Sequence, residues 1–283
     1  MTFKKNFQNR RIVLLTKHQK EDVIKPVLED ALGCEVITEN GFDTDRLGSF
    51  SREKKRRKSQ LDTARLKAKK GISLSGCDIG VASEGSFGMH PYAPVPWNIE
   101  IVFLYDKVQK LEVYGVYEGT ETNFDHKLVT DYETCHSFAL SVGFPDHYLI
   151  LRPNGEHSKW MIKGIDSIEG LEYAFHICKK RSHRGEVFIE TDMRAFANPT
   201  RMKNIERATQ NLVEKLMSVC PNCDTPGFSV TDIKKGLPCE ECGLPSELAI
   251  SRISVCKKCK HSTESPSSHG SKAPARYCHY CNP

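Results

Sequence analysis

Four Cys-x-x-Cys pairs near the C-terminus constrain the fold of this chain more than any other feature. They contain eight of the 12 cysteines in 283 residues: Cys220 and Cys223, Cys239 and Cys242, Cys256 and Cys259, and Cys278 and Cys281. Two intervening residues allow both thiolates of a pair to bind one ion, and four thiolates complete a closed tetrahedral zinc site. The sequence therefore predicts two structural Zn²⁺ ions.

The spacing of the pairs is compatible with two ways of combining them. Fifteen residues separate the first two pairs and 18 separate the last two, which fits two sequential zinc ribbons. A cross-brace, which joins the first pair to the third and the second to the fourth, has the same ligand count. Eight thiolates fill both sites, so His261, His269 and His279 are predicted not to be ligands. We predict a zinc-ribbon-like module over residues 217–283, after an α/β domain over residues 1–216.

The distribution of apolar residues indicates a protein that works away from membranes. The longest apolar runs are about five residues, whereas a membrane-spanning helix needs roughly 20. The basic N-terminal stretch has no apolar segment before a cleavage site, and in such a chain paired Cys-x-x-Cys motifs favour metal binding over disulfides. We therefore expect a cytoplasmic protein with no membrane partner, and the sequence does not indicate its oligomeric state.

Strand-like and helix-like patterns alternate over residues 1–216, which predicts an α/β fold with a mixed sheet. Buried strands are expected at residues 11–16, 34–38 and 77–83, with a flexible loop from 84 to 88, and an antiparallel pair is expected at residues 98–106 and 111–117. Ser51 is predicted to cap a helix that ends near Lys70. Asn198-Pro199 is predicted to begin the last long helix.

Positive charge is concentrated in one segment although the formal net charge is only +5. Residues 46–70 contain 11 Lys or Arg and two Asp or Glu, a net charge of +9. Such a segment is typical either of a solvated helix face or of a site for polyphosphate or nucleic acid. Nucleic acid is therefore a second candidate partner, beside a phosphorylated small molecule.

Two basic clusters in the N-terminal half contain candidate phosphate ligands. Lys17 and Lys20 lie in a polar turn between a predicted strand and a helix, where helix N-terminal amides and lysines converge on anions. Arg56 and Arg65 lie on the basic helix that follows. The turn lacks the glycine and lysine pattern of a P-loop, so it does not predict that fold.

A third cluster, residues 82–91, combines a carboxylate with two glycines after a predicted strand. Glu84 is the first candidate for a Mg²⁺ or Mn²⁺ ligand or a general base, with Glu100 as a helper. A capping or ion-paired carboxylate is the alternative for Glu84. The cluster also includes Ser83, Ser86 and His90, which are candidate substrate contacts.

The fourth cluster, residues 190–201, joins a strand to a helix. Arg194 and Arg201 are candidates to bind a phosphate or carboxylate, and Asp192 and Asn198 to orient them. An internal ion pair between Asp192 and one of the arginines is the equally weighted alternative.

Five motifs resemble an uncharacterised bacterial family, a domain of unknown function with a C-terminal module of four Cys-x-x-Cys pairs. They are Phe42-Asp-Thr-Asp, Ala82-Ser-Glu-Gly-Ser-Phe-Gly, Thr191-Asp-Met-Arg, Asn198-Pro-Thr-Arg-Met and Tyr277-Cys with the closing Cys-Asn-Pro. The resemblance covers nearly the whole chain and implies no established activity.

Residues 12–106 weakly resemble the inosine and xanthosine triphosphate pyrophosphatases and their Maf-type relatives. Two similar features are the turn from Thr16 to Lys20 after the first strand and Glu84-Gly85 on a later strand. A third is Thr63-Ala-Arg-Leu-Lys-Ala, which has Thr63 where the family pattern has Asn. This resemblance implies metal-assisted attack of water on a nucleoside triphosphate with release of pyrophosphate. Lys17, Lys20 and Arg56 would then bind phosphates, and Glu84, with Glu53 or Glu100, would hold the metal ion or activate water.

Overall fold

A computed structural model of the chain describes residues 4–42 and 58–283. The described residues form two compact units, one spanning residues 8–213 and the other combining residues 4–7 with residues 214–283. The first unit mixes helices and strands, and the second contains the cysteine-rich segment, so the predicted α/β class is confirmed. None of the helices in the described ranges is long and apolar enough to cross a membrane.

The described elements comprise six α-helices and 12 strands. The helices are α1 (Lys4–Phe7), α2 (Glu21–Leu32), α3 (Gln60–Ser75), α4 (Tyr132–Ser141), α5 (Ile168–Arg181) and α6 (Pro199–Met217). The strands of the first unit are β1 (Arg11–Leu15), β2 (Glu35–Glu39), β3 (Ile79–Met89), β4 (Pro96–Asp106), β5 (Leu111–Gly119), β6 (His126–Val129), β7 (Leu149–Pro153), β8 (Ile162–Ile165) and β9 (Val187–Thr191). Those of the second are β10 (Val230–Lys235), β11 (Ala249–Val255) and β12 (Ser262–Pro266).

A five-stranded mixed sheet in the order β2-β1-β3-β4-β5 positions the candidate site. Strand β1 is parallel to both β2 and β3, whereas β4 and β5 are antiparallel to their neighbours. The chain leaves β1 for β2 on one side and returns to β3 on the other. The carboxyl end of β1, which lies beside the middle of β3, therefore borders a topological switch point, where open α/β sheets bind their ligands.

Small residues allow a helix to pack closely on each face of this sheet. Ala64 and Ala68 of α3 are fully buried against Ala82 and Phe103 on one face. On the opposite face the backbone of α6 lies directly over Gly115 of β5. Side chains that alternate along β3 and β4 therefore point either to α3 or to α6.

A second, antiparallel sheet in the order β6-β9-β7-β8 packs against α4 and α5. Its core contains Phe138 of α4, Leu171 and Phe175 of α5, and Leu151 and Ile189 of the strands. The sequence pattern of α5 predicts this packing, because its apolar residues recur at helical spacing.

Two predicted boundaries are wrong. Helix α3 begins at Gln60 with Ser59 as its cap, since the Ser59 hydroxyl accepts the Asp62 backbone N–H at 3.1 Å, and α3 continues beyond Lys70. Ser51 lies outside the described residues. The predicted flexible loop after Ser83 is the second half of β3, because the glycines there are paired with β4 rather than turning the chain.

The three strands of the cysteine-rich unit form an antiparallel sheet in the order β10-β11-β12. Every residue of β10 and β12 is exposed, and β11 alone is partly buried. Such a small sheet has little apolar core, so its stability depends on other contacts.

We expect Gly115→Ala to destabilise the first unit by about 3 kcal/mol, because an added methyl group overpacks a rigid contact. An ideal Cβ at this position lies 2.0 Å from the Ala208 carbonyl oxygen and 2.3 Å from the Leu212 nitrogen, both backbone atoms. Gly88→Ala is the matched control, since nothing lies within 4 Å of its Cβ position. Urea unfolding of both variants measures the difference, and equal midpoints would contradict the described packing of α6.

Candidate metal centres and anion site

The eight paired cysteines form two clusters that can each hold one metal ion. The ligand atoms of each cluster all lie within 4.8 Å of one another. The first cluster is Cys220, Cys223, Cys256 and Cys259, and the second is Cys239, Cys242, Cys278 and Cys281. The first pair therefore joins the third and the second joins the fourth, which is the cross-brace and not the sequential ribbon.

The distances between sulfur atoms fit zinc. They are 3.6 Å for Cys220 and Cys259, 3.7 Å for Cys223 and Cys256, 3.6 Å for Cys242 and Cys278, and 3.9 Å for Cys239 and Cys281. Zn–S bonds of about 2.3 Å in a tetrahedron require sulfur atoms about 3.8 Å apart. Both clusters therefore match closed, structural zinc sites.

Each Cys-x-x-Cys pair is held by the same backbone turn. The N–H of the residue after the second cysteine donates to the carbonyl oxygen of the first cysteine, as Asp224 does to Cys220 and Lys260 does to Cys256. Asp224, Gly243 and Lys260 have positive φ values of 55°, 74° and 63°. The turns thus orient both sulfur atoms of a pair toward the same cluster.

Backbone hydrogen bonds favour the thiolate at one cysteine of each cluster, whereas burial raises the pKa of Cys220 to about 11. The His261 N–H lowers the pKa of Cys259 to about 6, and the Cys281 N–H lowers the pKa of Cys278 to about 7. By contrast, burial raises the pKa of Cys34 to about 11 and that of Cys178 to about 12. Cys34 and Cys178 therefore remain protonated packing residues.

Lys20 lies at the switch point between β1 and β3. It is 7% exposed, and its Nζ lies 3.1 Å from the Ser83 hydroxyl and 3.4 Å from the Ser83 carbonyl oxygen. No carboxylate among the described residues forms an ion pair with Lys20. Burial, together with the positive charges of Arg201 and Lys67, lowers the pKa of Lys20 to about 7, although Glu84 and Glu100 partly oppose this shift.

Glu84 forms an ion pair with Lys67 of α3, and both side chains are buried. Gln60 of α3 donates its side-chain amide to the Glu84 carbonyl oxygen at 2.7 Å and to the Ile99 carbonyl oxygen at 2.9 Å. The Glu84 carboxylate is thus held on the α3 face of the sheet, close enough to Lys20 to influence its charge.

Glu100 lies on the opposite face, where its carboxylate accepts the Arg201 Nε–H of α6 at 2.8 Å. Both residues are at most 1% exposed. Gly85 makes room for the pair, since a Cβ there would lie 2.6 Å from Glu100 Oε1 and 2.7 Å from Arg201 Nη2. The close approach at Gly85 thus serves an ion pair, and Glu84 and Glu100 are not brought together around one ion. The magnesium or manganese site at Glu84 stays a prediction.

The fourth sequence cluster forms the start of α6. Arg194 donates its Nε–H to the two Asp192 carboxylate oxygens at 2.9 and 3.0 Å, which is the predicted internal ion pair. Asn198 caps α6 by accepting the Arg201 backbone N–H at 2.9 Å. The cap and the ion pair together orient the chain so that Arg201 reaches Glu100.

Of the other candidate site residues, Ser86 and His90 lie away from Lys20. Ser86 follows Ser83 on β3, and His90 comes directly after this strand. Seven residues of extended chain place His90 about 20 Å from Ser83. The His90 ring packs against that of Trp97, with 4.6 Å between the ring centroids. Lys17 lies in the same turn as Lys20 and is partly exposed. Glu53 and Arg56 lie outside the described residues.

The described part of the basic segment is largely occupied by internal contacts. Arg65 donates to Glu112 at 3.0 Å, and Lys69 lies 3.1 Å from the same carboxylate and 4.5 Å from the centroid of the Tyr105 ring. Lys67 pairs with Glu84, as described above. Arg65 and Lys67 therefore act within the fold, whereas Lys69 stays exposed beside Glu112.

The pairing of Lys67 with Glu84 was not predicted from the sequence, although the pattern of α3 contains the signal. Lys67 falls between Ala64 and Ala68 on the buried face of an otherwise polar helix. A lysine at an apolar-face position needs a buried carboxylate, and Glu84 is the carboxylate that the tertiary structure provides.

The chain belongs to a family that is defined by a domain of unknown function. The profile of DUF6671, described as a domain of unknown function, matches residues 67–283, which is more than three quarters of the chain. The matched range includes Lys67, Glu84, Glu100 and Arg201 and all eight paired cysteines, and it excludes Lys20. A comparison with curated proteins gave no match.

Proposed function

We propose that the unit at residues 8–213 is a metal-dependent hydrolase of phosphorylated small molecules, with nucleotides as the first candidates. The observation that carries this proposal is the positive charge beside the carboxyl end of β1, next to Ser83 and Glu84 in the middle of β3. Among the described residues, Lys67 and Arg201 lie near Lys20 together with the carboxylates of Glu84 and Glu100, and the repulsion by the two cations contributes to the low pKa of Lys20. A bound phosphate supplies negative charge at the position where α/β sheets bind ligands.

The proposed reaction is attack of water on a phosphoanhydride bond. One P–O bond forms to the water oxygen, the bridging P–O bond breaks, and the water proton passes to a base, for which Glu84 is the candidate. Lys17 and Lys20 neutralise charge on the phosphate oxygens, and Mg²⁺ or Mn²⁺ enters with the phosphates. This is the reaction implied by the resemblance to inosine and xanthosine triphosphate pyrophosphatases.

For the cysteine-rich unit we propose two structural zinc ions. Four thiolates at each ion leave no position for a substrate, so these ions hold the unit together and do not take part in hydrolysis.

The test of the proposed function is release of phosphate and pyrophosphate from a panel of nucleoside triphosphates with Mg²⁺ or Mn²⁺. We expect turnover by the wild-type protein and a loss of about tenfold or more in Lys17→Gln, since one phosphate contact is removed. Lys25→Gln is the matched control, because Lys25 lies on α2 and its ion pair with Glu29 is solvent-exposed.

Binding of inorganic tripolyphosphate without metal tests the role of Lys20 separately. Only the protonated amine attracts an anion, and the free protein loses this proton near pH 7. We therefore expect affinity to fall as the pH rises above 7, and Lys20→Met to remove this dependence. If no nucleotide is turned over and no polyphosphate is bound, the hydrolase proposal fails. Salt-dependent binding of RNA or DNA would then favour the nucleic-acid alternative, and its absence a scaffold for a protein partner.

A further inference from the structure

A cleft of about 650 Å³ opens beside the start of α6. It is lined by residues 145–148, which precede β7, by Asp166 after β8, and by residues of the segment 196–203. This volume lies within the range of small-molecule sites. None of the residues that line the cleft was an individual site candidate, although Phe196, Pro199 and Thr200 belong to the fourth cluster.

One wall of the cleft has a fixed hydrogen-bonding pattern. His147 Nδ1 lies 3.3 Å from the Gly143 carbonyl oxygen, and His147 Nε2 lies 2.9 Å from the Thr200 hydroxyl. The carbonyl can only accept, so Nδ1 carries a proton, and in the neutral ring Nε2 accepts the proton of the Thr200 hydroxyl. Thr200 keeps its oxygen lone pairs as acceptors for a ligand.

Aromatic rings connect the cleft to the cationic turn. Phe196 lines the cleft, and its ring lies 6.3 Å from that of Tyr148, nearly perpendicular to it. Phe196 also packs on His18 at 5.6 Å between ring centroids. His18 follows Lys17 in the turn that contains Lys20, so one ligand can extend from the cleft to the turn.

The charges of the cleft select a neutral group and not a phosphate. Asp146 and Asp166 are exposed carboxylates at its edge, and Lys203 is the lining residue that carries a full positive charge. Carboxylates repel phosphate groups but accept hydrogen bonds from sugar hydroxyls, ring N–H groups and exocyclic amines. Aromatic side chains add a stacking surface that tolerates any base.

We infer that this cleft binds the nucleoside part of a nucleotide whose phosphates lie at Lys17 and Lys20. The inference rests on the proposed function, because it assigns the substrate of the same hydrolase. It goes beyond that proposal in identifying a separate subsite, which contributes affinity for the base and sugar.

Calorimetric titration with inorganic tripolyphosphate and with the four common nucleoside triphosphates tests the inference. We expect the wild-type protein to bind at least one nucleoside triphosphate about tenfold more tightly than tripolyphosphate, from stacking of the base. Phe196→Leu should remove most of this difference and leave the affinity for tripolyphosphate unchanged. Tyr173→Leu is the control, since Tyr173 is an exposed aromatic residue of α5 that does not line the cleft.

A second variant keeps the test independent of the packing of Phe196. Asp166→Asn alters an exposed residue, and we expect it to weaken nucleotide binding several-fold while tripolyphosphate binding stays equal or becomes tighter. Equal wild-type affinity for tripolyphosphate and for every nucleotide would overturn the nucleoside subsite and leave the phosphate site intact. Absence of binding by both kinds of ligand would instead overturn the proposed function.

Discussion

Loss of metal is expected to unfold the cysteine-rich unit completely, while the unit at residues 8–213 keeps its secondary structure. Strands β10 and β12 are fully exposed, so burial of apolar surface contributes little and the thiolate–metal bonds must provide most of the stability. Chelation followed by circular dichroism and limited proteolysis measures this effect. A unit that stayed resistant to protease without metal would contradict it.

Metal stoichiometry in double variants tests the cross-brace directly. Cys220→Ser with Cys256→Ser alters a single cluster, so one of two metal equivalents should be lost, whereas sequential ribbons would lose both. Cys220→Ser with Cys239→Ser should lose both equivalents, whereas sequential ribbons would lose one. Cys135→Ser is the control that retains both ions, because Cys135 belongs to the core of the other unit.

Arg201→Met should destabilise the first unit by about 3–5 kcal/mol, because it leaves the Glu100 carboxylate buried without its cation. Both members of this ion pair have fully buried side chains. Adding Glu100→Gln to this variant should recover part of the loss, since the uncompensated charge is then removed. Urea unfolding followed by tryptophan fluorescence measures both effects, and Trp97 on β4 provides a nearby probe.

Arg207→Met is the matched control for this prediction. Arg207 lies on the same helix and also pairs with a glutamate, Glu121, but both side chains are solvent-exposed. An exposed ion pair contributes little, so we expect no measurable change in its unfolding midpoint. Equal effects at Arg201 and Arg207 would show that burial does not set the strength of these pairs.

The metal ligands could be predicted from the sequence because their chemistry is local. Two residues between cysteines bring both thiolates to one ion, whatever the rest of the chain does. The pairing of Cys220 and Cys223 with Cys256 and Cys259 could not be predicted, because both pairings offer four thiolates per ion. Only the path of the chain through β10, β11 and β12 brings the first pair to the third.

The α/β unit likewise combines features that the sequence determines with features that only the tertiary structure decides. The sequence determined its class, most of its strands and the start of α6 at Pro199, because hydrophobic period, caps and proline act over a few neighbouring residues. Tertiary structure decided which charges meet. Glu84 and Glu100 are close in sequence and belong to adjacent strands, yet they pair with Lys67 and Arg201 on opposite faces of the sheet. The register of β3 against β4 and the packing of α3 and α6 set these partners, and such long-range contacts leave no periodic signal in the chain.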